Sequence, residues 1–276
     1  MKIKIAPRRI RRNRSRPGKT VPRVLAWGVH FYTALGLVAA AGIGVLSVQG
    51  GPSAFRGAFL LMLIATLIDA TDGTLARRVR VKEVLPGFDG RRLDDLVDFL
   101  TYTCLPLMLI WRADLLPGSL AWWLLVPLLA SAYGFCQVAV KTDDGYFLGF
   151  PSYWNLVAFY LYALRPTPEV AVTLLLTLSL LTFLPTRYLY PSQRGRLNAW
   201  TNALGAVWGC FLLWILLDPS PVPLENDRTR WASLLSLFFP LYYFVASWVI
   251  TVKTWQRRAS KRAEEAWRLS LEPEKR

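Results

Sequence analysis

The sequence predicts an all-α, polytopic integral membrane protein with about eight transmembrane helices. Three observations carry that prediction. Apolar runs of about 20 residues, the length that crosses a hydrocarbon core, recur along the 276-residue chain. Hydrophobic residues make up 54% of it, with 12 Trp, 11 Tyr and 14 Phe, which is more apolar than a soluble domain of this size. The 33 Lys and Arg outnumber the 18 Asp and Glu, and they gather between alternate apolar runs rather than spreading evenly.

Taken in order, residues 1–23 form a basic tail with ten Lys or Arg and no acid. Beside a membrane domain this reads as a cytoplasmic anchor drawn to anionic lipid, with no nucleic acid as partner. The spans are expected at 24–48, 54–74, 93–113, 119–140, 147–165, 168–187, 198–218 and 232–252, so that the membrane domain covers 24–252. Pro22 announces the first, which is too long for a signal-peptide core and is expected to stay in the mature protein. The turn Gln49-Gly50-Gly51-Pro52 ends it, and Pro86-Gly87 breaks the loop before the third span. The tail 253–276 mixes Lys, Arg and Glu with Trp255 and Trp267, and suits either a surface-lying amphipathic helix or a solvated one. Cys104, Cys136 and Cys210 fall in apolar segments without metal-ligand spacing and read as packing residues rather than disulfides.

Orientation follows from the basic residues. The N-tail, Arg77, Arg78, Arg80, Lys82, Arg91, Arg92, Lys141, Arg187, Arg194, Arg196 and the C-tail all fall on one side. That side is expected to be the cytoplasm, and with eight spans it holds both termini.

The chemistry concentrates in residues 69–98. Asp69, Asp72, Gly73 and Ala76 share one helical stripe, followed by Arg77; after twelve residues come Gly90, Asp94 and Asp98. Two adjacent helices would point four carboxylates into one space. Ionised carboxylates near hydrocarbon are expensive, so gathering four implies a cation, and an all-oxygen donor set suits Mg²⁺ or Mn²⁺. Asp95, about 100° around the helix from Asp94, reads as an ordinary surface acid.

This stretch resembles the signature of the CDP-alcohol phosphotransferases, D-x-x-D-G-x-x-A-R, a gap, then G-x-x-x-D-x-x-x-D. Every fixed position is present as Asp69, Asp72, Gly73, Ala76, Arg77, Gly90, Asp94 and Asp98. The gap is longer than in most of the family, which points to the bacterial phosphatidylcholine synthase branch. The resemblance implies an alcohol attacking the pyrophosphate of CDP-diacylglycerol and releasing CMP. It also implies two divalent ions on Asp69, Asp72, Asp94 and Asp98, with Asp98 as general base. Asp72, Gly73, Ala76, Arg77 and Gly90 would then meet the nucleotide and its phosphates, and the enzyme would be a homodimer.

The acceptor is read from aromatics. A quaternary ammonium such as choline is held by aromatic faces, and the segment Asp143-Asp144-Gly-Tyr146-Phe147 to Tyr153-Trp154-Asn155 supplies them beside acids. Tyr102, one turn beyond Asp98, joins Tyr146, Tyr153 and Trp154 as a choline candidate, although aromatics near a bilayer surface also serve as belt residues. The segments Gly28 to Ala34 around His30 and Thr33, and Phe183 to Pro191 around Arg187, extend the resemblance to residues 27–191. His30, the one histidine, reads as a polar contact inside the bundle. Arg187 and Arg194 either hold the lipid phosphate or mark the inside face. Two rivals stay open at this point: a sister transferase using serine, inositol or glycerol phosphate, and an ion-coupled transporter using the aspartates as an ion site.

Overall fold

The computed structural model describes residues 23–137, 146–189, 196–218 and 227–271. Helix α1 (Arg23–Gln49) turns at residues 50 and 51 into α2 (Pro52–Val79). Pro52 begins α2, where its missing N–H would have had no intrahelical partner. Helix α2 continues five residues past its expected end at 74, carrying Arg77 and Arg78 in its last turn, where cations complement the helix dipole. Arg80 ends it in the left-handed region at φ 53°, its N–H returning to the carbonyls of Ala76 and Arg77. The single turn α3 (Val81–Val84) follows.

Helix α4 (Gly90–Asp98) starts at an Asp89 cap, whose carboxylate accepts from the N–H groups of Arg91 and Arg92. It runs on through a π-wound segment, Phe99–Cys104, into α5 (Leu105–Arg112). The Leu105 N–H bonds the Leu100 carbonyl five residues back. Pro106 accounts for the widened winding: it offers no N–H to the Tyr102 carbonyl, and its ring would crowd that carbonyl in a regular α-helix. Pro127 acts similarly after the 3-10 turn Gly118–Leu124, which leads into α6 (Leu125–Cys136).

The fifth expected span, 147–165, is shortened to α7 (Trp154–Leu164). Its first residues form strand β1 (Tyr146–Leu148) instead, and Gly149 then bends the chain at φ 82° against the Thr182 carbonyl, where a side chain would not fit. The sixth span ends at Phe183 as α8 (Pro168–Phe183), and Arg187–Leu189 become β2. The two strands pair antiparallel, with Phe147 opposite Tyr188. The outer edge of β2 is covered by α11 (Phe238–Leu271), so it is not an open strand edge. Thr251 and Ser247 accept from the N–H groups of Arg187 and Leu189, and the Tyr243 hydroxyl donates to the Leu189 carbonyl. These three side chains recur every fourth residue, one face of the helix.

Helix α9 (Arg196–Leu217) matches the seventh expected span, and the eighth is divided between α10 (Asp227–Ser236) and α11. The break at Leu237 lies three residues before Pro240, which withholds an N–H from the Ser236 carbonyl. Helix α11 is unbroken for 34 residues. At 1.5 Å per residue it is about 51 Å long, beyond a hydrocarbon core of about 30 Å, so the basic segment from Lys253 continues the last membrane helix.

The protein is thus a helical, polytopic membrane protein, and among the described residues five helices are long and apolar enough to cross a bilayer. Helices α7 and α8, with 11 and 16 residues, are apolar but shorter than a full span. The main core joins α1, α2, α5, α7, α8, α9 and α11 around Ile43, Phe59, Leu109, Trp154, Leu175 and Tyr188. The cysteines are free, but only Cys104 is partly buried; Cys136 and Cys210 lie exposed on helix faces rather than in packing positions.

Candidate active site

The ends of α2 and α4 bring the signature aspartates together. Oxygens of Asp69, Asp94 and Asp98 lie within 4.8 Å of one another, each on a half-buried side chain. Helical spacing accounts for it locally: Asp94 and Asp98 are one turn apart on α4, and Asp69 faces them from α2. Asp72 lies beside the trio, next to Asp94. It is 5% exposed and has Asp94 and Arg77 as charged neighbours. The four expected carboxylates therefore resolve into three convergent ones and a fourth set deeper beside Asp94. Carboxylate oxygens at this spacing suit a hard divalent cation, which takes oxygen donors in preference to nitrogen or sulfur.

Two hydroxyls from other elements hold the α2 acids. Tyr102 in the π-wound segment donates to Asp69 Oδ2 at 2.7 Å, and Thr33 on α1 donates to Asp72 Oδ2 at 2.7 Å. Tyr102 is 8% exposed and borders Thr66, whose Oγ1 accepts from Asn155 Nδ2 at 3.2 Å. A polar chain thus runs from α7 through α2 to the trio. The π winding matters here. Each four-residue step of an α-helix drifts by about 40° around the axis, and the wider turn after Asp98 reduces that drift, keeping Tyr102 beneath Asp94 and Asp98.

The phosphate-side candidates occupy the same end. Arg77 is exposed, donates to Thr74 Oγ1 at 3.0 Å, and lies across Gly73, where a Cβ would come within 3.3 Å of Arg77 Nη1. Ala76 packs with Ala26, Val29 and Val81, so its small size also lets α1 approach α2. Gly90 meets the His30 ring: a Cβ there would stand 2.8 Å from Nδ1 and closer still to Cε1. His30 itself departs from the expected polar contact. It is 7% exposed and packed between Trp27 and Phe88, at ring distances of 5.8 and 4.4 Å, and its Nε2 has no hydrogen-bond partner among the described residues.

The choline candidates separate. The Tyr153 ring lies 6.1 Å from Tyr102 and 6.1 Å from Tyr243, which places it next to the residue that holds Asp69. Trp154 does not face the carboxylates. It is fully buried, with its indole N–H on Ser131 Oγ at 2.6 Å and its ring against Phe150, a core position. Tyr146 and Arg187 pack on each other, the guanidinium 5.3 Å from the ring centre, as diagonal neighbours across the two strands. An aromatic face proposed for choline and a cation proposed for lipid phosphate thus occupy one another. Arg194 lies outside the described residues, as do Asp143, Asp144 and the basic segment 1–22.

Thr33 and Asn155 are site residues that the signature motif does not include. The available signal was a lone polar side chain within an apolar span, which in a membrane helix usually means an interhelical hydrogen bond.

The match to known proteins agrees with this geometry. A family model described as CDP-alcohol phosphatidyltransferase matches residues 20–255. A phosphatidylcholine synthase of Rhizobium johnstonii is 32% identical over 238 residues, covering 84% of this chain and 93% of that protein. One of Borreliella burgdorferi is 32% identical over 247 residues, covering 87% of this chain and all of that protein. One of Pseudomonas aeruginosa is 38% identical over 189 residues, 68% of this chain and 78% of that protein.

Proposed function

The chain belongs to the CDP-alcohol phosphatidyltransferase family, and from that premise we propose that it is a phosphatidylcholine synthase, transferring the phosphatidyl group of CDP-diacylglycerol to choline with release of CMP. The observation that carries the chemistry is the convergence of Asp69, Asp94 and Asp98 within 4.8 Å. The relatives' names support choline as acceptor, and so does the Tyr102–Tyr153 ring pair beside Asp69. Family membership makes the protein an enzyme and sets aside the transporter reading.

In this reading Asp98 takes the proton of the choline hydroxyl. The freed oxygen attacks the phosphorus that bears the diacylglycerol, an O–P bond forms there, and the bond from that phosphorus to CMP breaks. Asp69, Asp94 and Asp98, with Asp72 behind them, would hold divalent cations, Mn²⁺ or Mg²⁺, and four carboxylates have room for two. Bound there, divalent metal would neutralise charge on the phosphate oxygens and on departing CMP. Arg77, the exposed cation nearest Gly73, pairs with a nucleotide phosphate through its planar fork. Gly73 keeps the surface beside Arg77 free of bulk, while the small size of Ala76 and Gly90 lets α1 pack close to the helices that carry the acids. Tyr102 and Tyr153 present ring edges and faces to the quaternary ammonium.

The site end of α2 and the turn that follows it carry Arg77, Arg78, Arg80 and Lys82. That concentration supports a cytoplasmic position for the site and for both termini, in the inner membrane of a bacterium. The family resemblance also implies a homodimer.

The test is CMP release by purified protein in detergent with CDP-diacylglycerol, Mn²⁺ or Mg²⁺, and choline, serine, inositol or glycerol 3-phosphate in turn. Release with choline alone, abolished by chelator and in Asp98→Asn, is the expected result. Release with a different alcohol would overturn the choline assignment and keep the family chemistry.

A further inference from the structure

We propose that Thr33, on α1, is a positioning residue for Asp72 and so for divalent-cation binding at the carboxylate cluster. The inference rests on the reading that those carboxylates hold a cation.

The Thr33 hydroxyl carries a single proton. Its two acceptors within reach are Asp72 Oδ2 at 2.7 Å and the Val29 carbonyl at 3.4 Å, so the proton goes to the carboxylate. Both residues are buried, at 6% and 5% exposure. A hydrogen bond to an ionised group in such surroundings is short and strong, and it fixes which carboxylate oxygen points where. With Oδ2 held by α1, the remaining oxygen is what Asp72 can offer to the side where Asp94 lies.

The contact ties α1 to the cluster. No acid lies on α1, and its neighbouring tie to α2, between the hydroxyls of Tyr32 and Thr71 at 2.8 Å, does not touch a carboxylate. Asp69 is served by a different helix, through Tyr102. Thus each acid of the α2 pair accepts from a hydroxyl on another element. Ligands oriented this way bind metal more tightly because less reorganisation remains when the ion arrives.

The test is Mn²⁺ binding to the purified full chain in detergent, without substrate, read from the electron paramagnetic resonance of free Mn²⁺. Thr33→Val keeps the β-branched shape and removes the donor; Thr33→Ala is the second variant should Val fail to fold, with thermal unfolding as the check. The Mn²⁺ midpoint is expected to rise about 10- to 100-fold in either, and to stay within about threefold of wild type in Thr33→Ser. Tyr32→Phe, which cuts the neighbouring helix tie alone, should leave the midpoint in place. A wild-type midpoint in Thr33→Val, or an equal rise in Tyr32→Phe, would overturn the proposal. If the wild-type protein itself binds no Mn²⁺, the cation reading falls first. If Asp72→Asn binds like wild type while Asp69→Asn does not, Asp72 alone is excluded as a ligand and Thr33 with it.

Discussion

Tyr102 donates its phenolic hydrogen bond to Asp69 Oδ2 at 2.7 Å, joining the π-wound turn after Asp98 to the helix that carries the opposing acid. The side chain is 8% exposed, so the bond is shielded from water. Tyr102→Phe would keep the ring next to Tyr153 and remove only the donor. The Mn²⁺ concentration for half-maximal CMP release should rise about tenfold, with choline KM changed little. A raised choline KM at unchanged Mn²⁺ requirement would show instead that the hydroxyl serves the acceptor.

Gly90 and His30 fit each other through shape. Gly90→Ala places a methyl against the imidazole, pushing the start of α4 away from α1 and with it Asp94, one turn along. The variant should lose about 1–3 kcal/mol of stability, the usual range for overpacking, and most of its CMP release. Adding His30→Ala makes room for the methyl, so the double variant should recover part of both. Strict additivity in this cycle would show that the two do not act through their contact.

Asp95 and Asp98 test the assignment of the general base. Asp98→Asn should lower kcat by about 10²- to 10⁴-fold, the range a positioned base contributes. Asp95→Asn, outside the convergent trio, should stay within about threefold of wild type. Comparable losses in the two would mean that the local charge of α4, rather than one carboxylate, supports turnover.

Tyr153 reports on the acceptor. Its ring sits between Tyr102 and Tyr243, each 6.1 Å away. Tyr153→Ala should raise choline KM about tenfold, in keeping with a cation–π contribution of roughly 1–2 kcal/mol, while Tyr153→Phe should hold it near wild type. The KM for CDP-diacylglycerol should not move in either. A Trp154→Phe variant is expected to leave choline KM unchanged and to lower the unfolding temperature, since it loses a buried N–H bond to Ser131.

What the sequence determined by itself is what depends on neighbours along the chain. Runs of apolar residues set the membrane helices, and the three- and four-residue spacing of Asp69, Asp72, Asp94 and Asp98 set which faces they share. Prolines mark the departures inside the helices: Pro106, Pro127 and Pro240 each lack the N–H that a helical carbonyl four residues back requires. Some boundaries failed for a different reason. Tyr146–Leu148 and Arg187–Leu189 are as apolar and aromatic as the helices beside them, and only their pairing with each other and with Ser247 and Thr251 makes them strands.

The tertiary structure decided everything that turns on contacts between distant residues. It buried Asp72 more deeply than the other three acids, turned Trp154 into the core, and set Arg187 against Tyr146. It also chose the donors: Thr33 and Asp72 are 39 residues apart and Tyr102 and Asp69 are 33. No periodicity links such pairs. A buried carboxylate must be met by a hydrogen-bond donor, but which helix provides it depends on how the helices pack, and that is fixed by side-chain shape across the whole bundle.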